Sequence, residues 1–228
     1  MSQITTKKKL YPYQEEAING IFYALDEAPP NYHLLFQLPT GGGKTVIFSE
    51  IVRRYIASTN KKVVVLTHRI ELSKQTSSML TEFGVPNKVI NSQVKDLPDQ
   101  HEYQCFVAMV ETLNNRLQDG KLALDEIGLV IIDEAHYNSF SKLFQYFDNS
   151  VILGVTATPL SSNIKLPMKD NYNELLAGCS ISHLIGEGFL AKATTYKYDV
   201  GLTTLKVGAS GDYTVKSSEE LYGHITML

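Results

Sequence analysis

The residues best suited to chemistry lie in the stretch 38–45, which reads LPTGGGKT. Glycines leave backbone N–H groups free to surround an anion, and a helix that starts directly behind them adds its positive N-terminal end. The Lys44 ammonium can reach the outer phosphates of a nucleotide, and the Thr45 hydroxyl can bind Mg²⁺. The stretch therefore predicts a phosphate-binding loop, with a ligand-free glycine turn as the alternative. The predicted nucleotide contacts are Thr40, Gly41, Gly42, Gly43, Lys44 and Thr45.

Two neighbouring carboxylates form a second candidate site. Asp133 and Glu134 follow the apolar run 129–132, and a buried strand that ends in two carboxylates is costly unless cations meet them. In a protein that also has a phosphate-binding loop, Asp133 would hold Mg²⁺, and Glu134 would orient and deprotonate the water that attacks the γ-phosphate. The alternative is a pair of acidic residues at the start of a surface loop.

Other polar residues follow apolar runs in the same way. Thr67, His68 and Arg69 come after the run 61–67, and ligands of open α/β sheets bind beyond the carboxyl ends of strands. A solvated turn is the alternative for this segment. Thr156 and Thr158 end the run 151–155, where their hydroxyls could bond His136 and face the γ-phosphate, or simply form a proline-terminated turn.

Alternating strands and helices must position these candidates. Buried parallel strands read as continuous apolar runs, which predicts strands at 32–38, 61–67, 88–90, 104–110, 129–132 and 151–155. Amphipathic spacing predicts helices from Pro12 to about 28, and at 46–57, 67–83, 111–117, 122–127, 140–147 and 175–187. Residues 193–200 are predicted to be extended, and a domain boundary is expected near 188.

Composition excludes several classes of protein. The 228 residues are 43% apolar and 20% charged, as in ordinary globular proteins. No apolar run approaches the roughly 18 residues that span a membrane, and the lysines at 7–9 precede no apolar segment. We therefore expect a cytoplasmic protein, with association with the nucleoid as an option, and no membrane partner. The net charge of −3 argues against a broad basic surface but leaves room for a local groove. Cys105 and Cys179 are expected to be buried free thiols.

The order of these motifs resembles the N-terminal RecA-like ATP-binding domain of superfamily 2 DEAH-type helicases and translocases. The resemblance covers about residues 10–190, with the phosphate loop as motif I and 132–136 as motif II. Gln14 is similar to the Q motif, 67–75 to motif Ia, 111–117 to motif Ib and 156–158 to motif III. Leu38 departs from a strict Walker A pattern but resembles the Leu-Pro-Thr-Gly forms of this superfamily. The most similar branch holds excision-repair helicases and the motor subunits of type I and type III restriction enzymes.

The resemblance implies an α/β RecA-like fold with a parallel sheet sandwiched between helices. It implies a helicase domain at 1–188, and 189–228 as a linker or the start of a truncated second domain. The family's second RecA-like domain supplies arginines to the ATP site, whereas this chain has no arginine after Arg116. We therefore expect that second domain to follow in the full-length chain, and this fragment alone to be a very weak ATPase.

The resemblance also implies roles for individual residues and partners. Gln14 would read the adenine of ATP, whose N6/N7 edge suits a glutamine amide, and Tyr11 would stack on it. The predicted catalytic residues are Lys44, Asp133, Glu134 and His136, with Mg²⁺ held by Thr45 and Asp133. The predicted nucleic-acid contacts are Thr67, His68, Arg69 and Thr112, and the predicted coupling residues are Thr156 and Thr158. The expected partners are DNA, with RNA as an option, and a nuclease or repair protein.

Two other functions remain open from the sequence. A P-loop phosphotransferase would move the phosphoryl group to a small molecule, but Glu134 would occupy the space of its acceptor. A scaffold that binds ATP without catalysis would have no need of the filled catalytic positions. ATPase measurements with and without nucleic acid separate these functions from a helicase.

Overall fold

The computed structural model describes residues 9–26, 28–29, 31–93, 100–120, 124–161, 165–194, 205–207 and 213–225. The chain divides into two compact units, residues 1–190 and 191–228. In the described part of the second unit, a helix spans Val215–Ile225 and an isolated antiparallel bridge joins Val207 to Tyr213. Most of the extended run predicted over 193–200 lies outside the described residues.

The first unit is built on a parallel sheet of seven strands. The strands are β1 (His33–Gln37), β2 (Lys62–Thr67), β3 (Asn87–Ile90), β4 (Cys105–Met109), β5 (Ile127–Asp133), β6 (Val151–Thr156) and β7 (Glu174–Ala177). Their order across the sheet is β3-β4-β2-β5-β6-β1-β7. Every pair of neighbouring strands is parallel. All seven residues of β5 are buried, as expected for a central strand covered on both faces.

Helices connect the strands and cover both faces of the sheet. They are α1 (Pro12–Asp26), α2 (Lys44–Thr59), α3 (Ile70–Glu82), α4 (Val110–Gln118) and α5 (Ile181–Gly186), and the helix of the second unit is α6. One buried cluster packs α1, α2 and α3 against one face, through residues such as Ile18 and Phe48. A second cluster packs α4 and a 3₁₀ segment, Asn138–Tyr146, against the other face, through Leu113 and Leu143. This arrangement confirms the predicted α/β fold.

Three predicted helices differ from the structure. Ile127 begins β5 instead of ending a helix, because Glu126 adopts a left-handed φ of 62° and its carbonyl accepts a hydrogen bond from the Lys62 N–H. Residues 121–123 of that predicted helix lie outside the described residues. The helix predicted over 175–187 is wrong in its first part, where β7 pairs with β1, and α5 occupies only 181–186. The segment predicted as a helix at 140–147 is a 3₁₀ segment.

The three phenylalanines of that segment do pack as predicted from their spacing. Phe140 and Phe147 are buried in the second cluster, and Phe144 packs against it. Cys105 is a buried free thiol, and Cys179 is half-buried. Among the described residues, no helix is both long enough and apolar enough to cross a membrane.

Candidate functional site

The sheet order brings the candidate residues to one edge. The glycine-rich stretch follows β1, Asp133 ends β5, Thr156 ends β6 and Thr67 ends β2. Because all these strands are parallel, their carboxyl ends lie on the same side of the sheet. Only β6 separates β1 from β5, so the phosphate-loop candidate and the carboxylates are near neighbours across the sheet.

The glycine-rich stretch forms a tight turn that ends at the N-terminus of α2. Gly41 and Gly43 adopt left-handed φ angles of 84° and 83°, which residues with a Cβ rarely adopt. A Cβ on Gly42 would lie 2.9 Å from Leu38 Cγ, so this glycine also needs to lack a side chain. The helix begins at Lys44, whose side chain is largely buried with 9% exposure. Backbone amides at the start of a 16-residue helix can therefore surround a phosphate group.

Residues at the start of α1 hold the glycine-rich turn from one side. The Tyr13 hydroxyl donates a hydrogen bond to the Gly42 carbonyl at 2.9 Å. Gln14, the third residue of α1, accepts a hydrogen bond from the Tyr11 N–H at 3.0 Å through Oε1, as in half of a capping box. Gln14 Nε2 contacts the Tyr13 hydroxyl at 3.4 Å, and a Cβ on Gly43 would lie only 2.5 Å from it. Gln14 is thus fixed against the loop, and its contact with adenine stays a prediction.

An aromatic cluster beside the start of α1 includes Phe189, which was not predicted from the sequence as a site residue. The Phe189 ring centroid lies 4.9 Å from the centroids of both Tyr11 and Tyr13. Phe189 follows Gly188, which has a φ of 75° and reverses the chain after α5, so that the Phe189 N–H bonds the Leu184 carbonyl at 2.8 Å. Gly188, two residues after the end of α5, indicates a chain reversal in the sequence, but no local signal places Phe189 beside Tyr11 and Tyr13. Tyr11 is 52% exposed, so one side of the cluster is open to a ligand.

The two carboxylates at the end of β5 differ in their surroundings. Asp133 is only 5% exposed and accepts a hydrogen bond from the Glu134 N–H at 3.0 Å. Burial raises the pKa of Asp133 to about 6, the Glu134 carboxylate adds to this rise, and the Lys44 ammonium opposes it. Glu134 is partly exposed and adopts a φ of 53°, a strained conformation for a residue with a side chain. Its side chain is 29% exposed, so the carboxylate can meet a water molecule.

His136 connects the second carboxylate to the end of β6. Its Nδ1 lies 3.0 Å from Thr156 Oγ1 and 3.4 Å from Glu134 Oε2. The Thr156 hydroxyl also lies 3.0 Å from the Thr158 carbonyl, to which it can donate. The structure thus brings together His136, Glu134 and Thr156, whereas Thr158 is exposed and meets Thr156 through its backbone.

The predicted nucleic-acid contacts lie at or beyond the carboxyl ends of β2 and β4, on the opposite side of β5 from the glycine-rich turn. They differ from one another in exposure and in their contacts. Thr67 is buried, and its hydroxyl lies 2.5 Å from the Ser73 hydroxyl, so it anchors α3. Arg69 is exposed at the start of α3, and Thr112 is half-buried on α4. A cleft of about 520 Å³ begins here and reaches the second carboxylate. It is lined by His68, Arg69, Glu71, Leu72, Glu134, His136 and Tyr137.

Relatives of this chain match it over most of its length. The restriction enzyme EcoAI endonuclease subunit of Escherichia coli, a type I enzyme, is 26% identical over 225 residues, which cover 93% of this chain and 26% of that protein. The ATP-dependent DNA helicase MPH1 of Scheffersomyces stipitis is 30% identical over 195 residues, or 77% of this chain and 17% of the helicase. The chain thus spans about a quarter or less of these two relatives.

A solved structure shares the fold. It is a nuclease-deletion mutant of the Type ISP restriction-modification enzyme LlaGI in complex with a DNA substrate mimic, with a TM-score of 0.65 and 18% identity. The match covers 85% of this chain and 21% of LlaGI. Residues 7–161 match the family described as "Type III restriction enzyme, res subunit". Since this match spans more than half of the sequence and includes the glycine-rich turn and both carboxylates, the chain belongs to that family.

Proposed function

We propose that this chain is the first motor domain of an ATP-dependent helicase or translocase that acts on DNA. The observation that carries the proposal is that Lys44, at the N-terminus of α2, and the pair Asp133 and Glu134 lie at or beyond the carboxyl ends of β1 and β5, with only β6 between these strands. The similarity to a DNA helicase and to restriction-enzyme subunits supports DNA over RNA as the polymer.

ATP would be held by its phosphates in the glycine-rich turn. The amides of Gly41 to Lys44 and the Lys44 ammonium would neutralise phosphate charge, which is the main requirement of phosphoryl transfer. Thr40 borders the turn and is exposed toward a ligand. The aromatic cluster of Tyr11, Tyr13 and Phe189 would take the adenine, with Gln14 fixed beside it by α1.

The residues near Lys44 also fit Mg²⁺. The Thr45 hydroxyl and the Asp133 carboxylate are oxygen donors, which Mg²⁺ prefers, and Mg²⁺ takes only one or two carboxylates when phosphates complete its shell. Among the described residues, no cluster of three or more His, Cys, Asp or Glu side chains could hold a metal by itself, which agrees with a shared protein–phosphate site. When held by Thr45 and Asp133, Mg²⁺ would supply positive charge that stabilises the charge developing on the phosphates during hydrolysis.

Glu134 would act as the general base. Its partly exposed carboxylate can accept the proton of the attacking water, and His136 would hold its position through the 3.4 Å contact. The hydrogen bond between His136 and Thr156 would carry changes at the γ-phosphate to the end of β6. Arg69 would contact a backbone phosphate of the bound strand, with His68 and Thr112 near the same path and Thr67 fixing the start of α3.

We infer that the natural protein has a second RecA-like domain. Supporting this, no arginine follows Arg116 in the sequence, and an arginine finger contributes roughly 10³ to 10⁵ in the rate of phosphoryl transfer. The first unit alone is therefore expected to be a very weak ATPase. A nuclease or repair partner and a cytoplasmic location, with association with the nucleoid as an option, complete the proposal.

The test is steady-state ATPase of the natural full-length protein, alone and with single-stranded DNA, duplex DNA or RNA. The proposal expects Mg²⁺-dependent hydrolysis that DNA stimulates. Phosphoryl transfer to an added small molecule would favour a phosphotransferase instead. Nucleotide binding without turnover under all four conditions would favour a non-catalytic scaffold, and either outcome would overturn the motor assignment.

A further inference from the structure

Tyr137 lies between two histidines that belong to different parts of the proposed motor site. Its ring centroid is 4.2 Å from that of His68 and 4.3 Å from that of His136, with interplanar angles of 38° and 36°. His68 follows β2 and Tyr137 follows β5, and these two strands are neighbours in the sheet. The three-ring stack (His68, Tyr137 and His136) therefore bridges the ends of two adjacent strands.

The two ends of this stack adjoin different functions. His68 directly precedes Arg69, the exposed candidate for a strand phosphate. His136 lies 3.4 Å from the carboxylate of Glu134, the proposed general base. A continuous path of side-chain contacts thus leads from the strand-contact segment to the group that activates water. The cleft of about 520 Å³ described above runs along the same path.

Tyr137 also contacts the general base through the backbone. The Tyr137 N–H donates a hydrogen bond to the Glu134 carbonyl at 3.1 Å, closing the turn that the φ of 53° at Glu134 begins. A change in the position of Tyr137 therefore acts on Glu134 by two routes, through His136 and through this turn. A strained turn of this kind can take up a second arrangement at little cost once its support moves.

His68 depends on the stack for its orientation. Its Nδ1 is buried and has no hydrogen-bond partner among the described residues. Burial, together with the neighbouring Arg69 guanidinium, lowers the pKa of His68, so that the ring is uncharged at neutral pH. A neutral ring without a bond at Nδ1 relies on its other contacts, and the ring of Tyr137 at 4.2 Å is one of them. A displacement of Arg69 on strand contact would therefore move His68 against Tyr137.

Direct stacking on a nucleic-acid base does not explain Tyr137. A base needs a free ring face, and two histidine rings already lie 4.2 and 4.3 Å from the Tyr137 ring, centroid to centroid. The ring is only half-buried, so its packing contributes less to the hydrophobic clusters than Phe140 or Leu143 does. Its contacts instead suit a residue that couples the loop after β2 to the loop after β5.

We propose that Tyr137 is a positioning residue that couples strand contact at Arg69 to the orientation of Glu134 through the three-ring stack. The inference rests on the proposed function, because it concerns how DNA stimulates the same ATPase site. DNA would shift the 67–69 segment, the stack would carry the shift to His136, and Glu134 would reach its productive position. In this role Tyr137 acts through its contacts with His68 and His136 and through the turn at Glu134.

The test uses the natural full-length protein with Tyr137→Leu, Tyr137→Ser and Tyr137→Phe. The first two remove the aromatic ring, and the third keeps the ring but removes the hydroxyl. Tyr146→Leu is the matched control, since Tyr146 is an exposed tyrosine of the following 3₁₀ segment with no role in the stack. For each protein we would measure ATPase without DNA, ATPase at saturating DNA, the affinity for DNA and thermal unfolding.

The proposal expects the ratio of DNA-stimulated to basal ATPase to fall by at least about fivefold in Tyr137→Leu or Tyr137→Ser, within the usual range of coupling between sites. Basal ATPase and DNA affinity should stay within about twofold, and Tyr137→Phe and Tyr146→Leu should keep the full ratio. His68→Asn, which shortens the stack from the other end, should also lower the ratio at saturating DNA.

Other results would overturn the proposal. An unchanged ratio in folded Tyr137→Leu would show that the stack is ordinary packing, and so would equal losses of basal and stimulated rates. If neither ring-removing variant folds, the stack is a structural element and the coupling role fails. Failure of the proposed function is distinct from all of these, because it would appear as a wild-type protein that DNA does not stimulate.

Discussion

Replacing Asp133 by asparagine should stabilise the protein in the absence of nucleotide and Mg²⁺. Asparagine has nearly the same shape as aspartate, and its Oδ1 can still accept the hydrogen bond from the Glu134 N–H. What it lacks is the charge, which at this position is largely buried and lies close to the carboxylate of Glu134. The Asp133→Asn variant therefore isolates the cost of keeping a charged carboxylate, the proposed Mg²⁺ ligand, at the end of β5.

The magnitude follows from the pKa of Asp133. Folding raises this pKa from 3.8 to about 6, a difference of about two pH units, and each unit corresponds to about 1.4 kcal/mol. Because the folded pKa is the higher one, the folded state binds more protons between pH 4 and pH 6, and stability falls as pH rises through this window. The full cost of about 3 kcal/mol is present above about pH 7, and about 1 kcal/mol remains at pH 4.5.

The assay is urea unfolding followed by far-ultraviolet circular dichroism, which suits a chain without tryptophan. Samples contain EDTA and no nucleotide, at pH 7.5 and pH 4.5. Asp148→Asn is the control, because Asp148 is exposed and its replacement should change stability by less than about 0.5 kcal/mol. A variant less stable than wild type at pH 7.5, or a gain that does not depend on pH, would refute the reasoning about burial.

Four further substitutions test the site. Lys44→Ala should weaken ATP binding in calorimetry by roughly 10- to 150-fold, because a charged hydrogen bond to phosphate is lost, and unchanged affinity would place ATP elsewhere. Glu134→Gln should keep ATP binding but lower turnover by roughly 10²- to 10⁴-fold, since the amide cannot accept a proton, and wild-type turnover would remove it from the mechanism. Arg69→Ala should weaken DNA binding equally across sequences and reduce the log–log salt slope by about one, whereas a sequence-dependent loss would argue for base contacts. Gly43→Ala should lower both ATP affinity and thermal stability, because its Cβ would meet Gln14 Nε2 at 2.5 Å at a φ of 83°, and a neutral result would show that the turn can rearrange.

The sequence predicts most of the sheet because buried parallel strands read as unbroken apolar runs. Such runs predict β1, β2, β4, β5 and β6, and β5 is buried at every position. The short stretch 88–90 indicates β3, which is only partly buried. The edge strand β7 was not predicted. It is only four residues long, and Glu174, Leu175 and Ala177 are exposed, so its sequence contains no continuous apolar run. Its pairing with β1 joins residues that are about 140 positions apart in the chain, so the local sequence pattern does not predict it.

Some residues of the candidate site could likewise be predicted from the sequence, and others could not. Residues that follow strands, such as Lys44 and Glu134, could be located from their motifs, because strand ends in a parallel sheet must meet at one edge. Phe189 and Tyr137 could not, since their neighbours come from distant parts of the chain and depend on how loops fold back over the sheet. The hydrogen bonds of Gln14 with the Tyr11 N–H and the Tyr13 hydroxyl likewise could not be predicted from the sequence. They determine how freely the Gln14 amide can contact a ligand.

The burial of β5 has a consequence for the timing of motion in this domain. Its amides are paired with β2 on one side and β6 on the other, so hydrogen–deuterium exchange in 129–132 should require global unfolding. The turns at 40–43 and 134–137, which have few such bonds, should exchange through local openings that are many orders of magnitude more frequent. In the proposed ATPase cycle, the loops would then rearrange while the central strands of the sheet stay folded. The hydrogen bonds of β5 would persist through many binding and release events of the nucleotide.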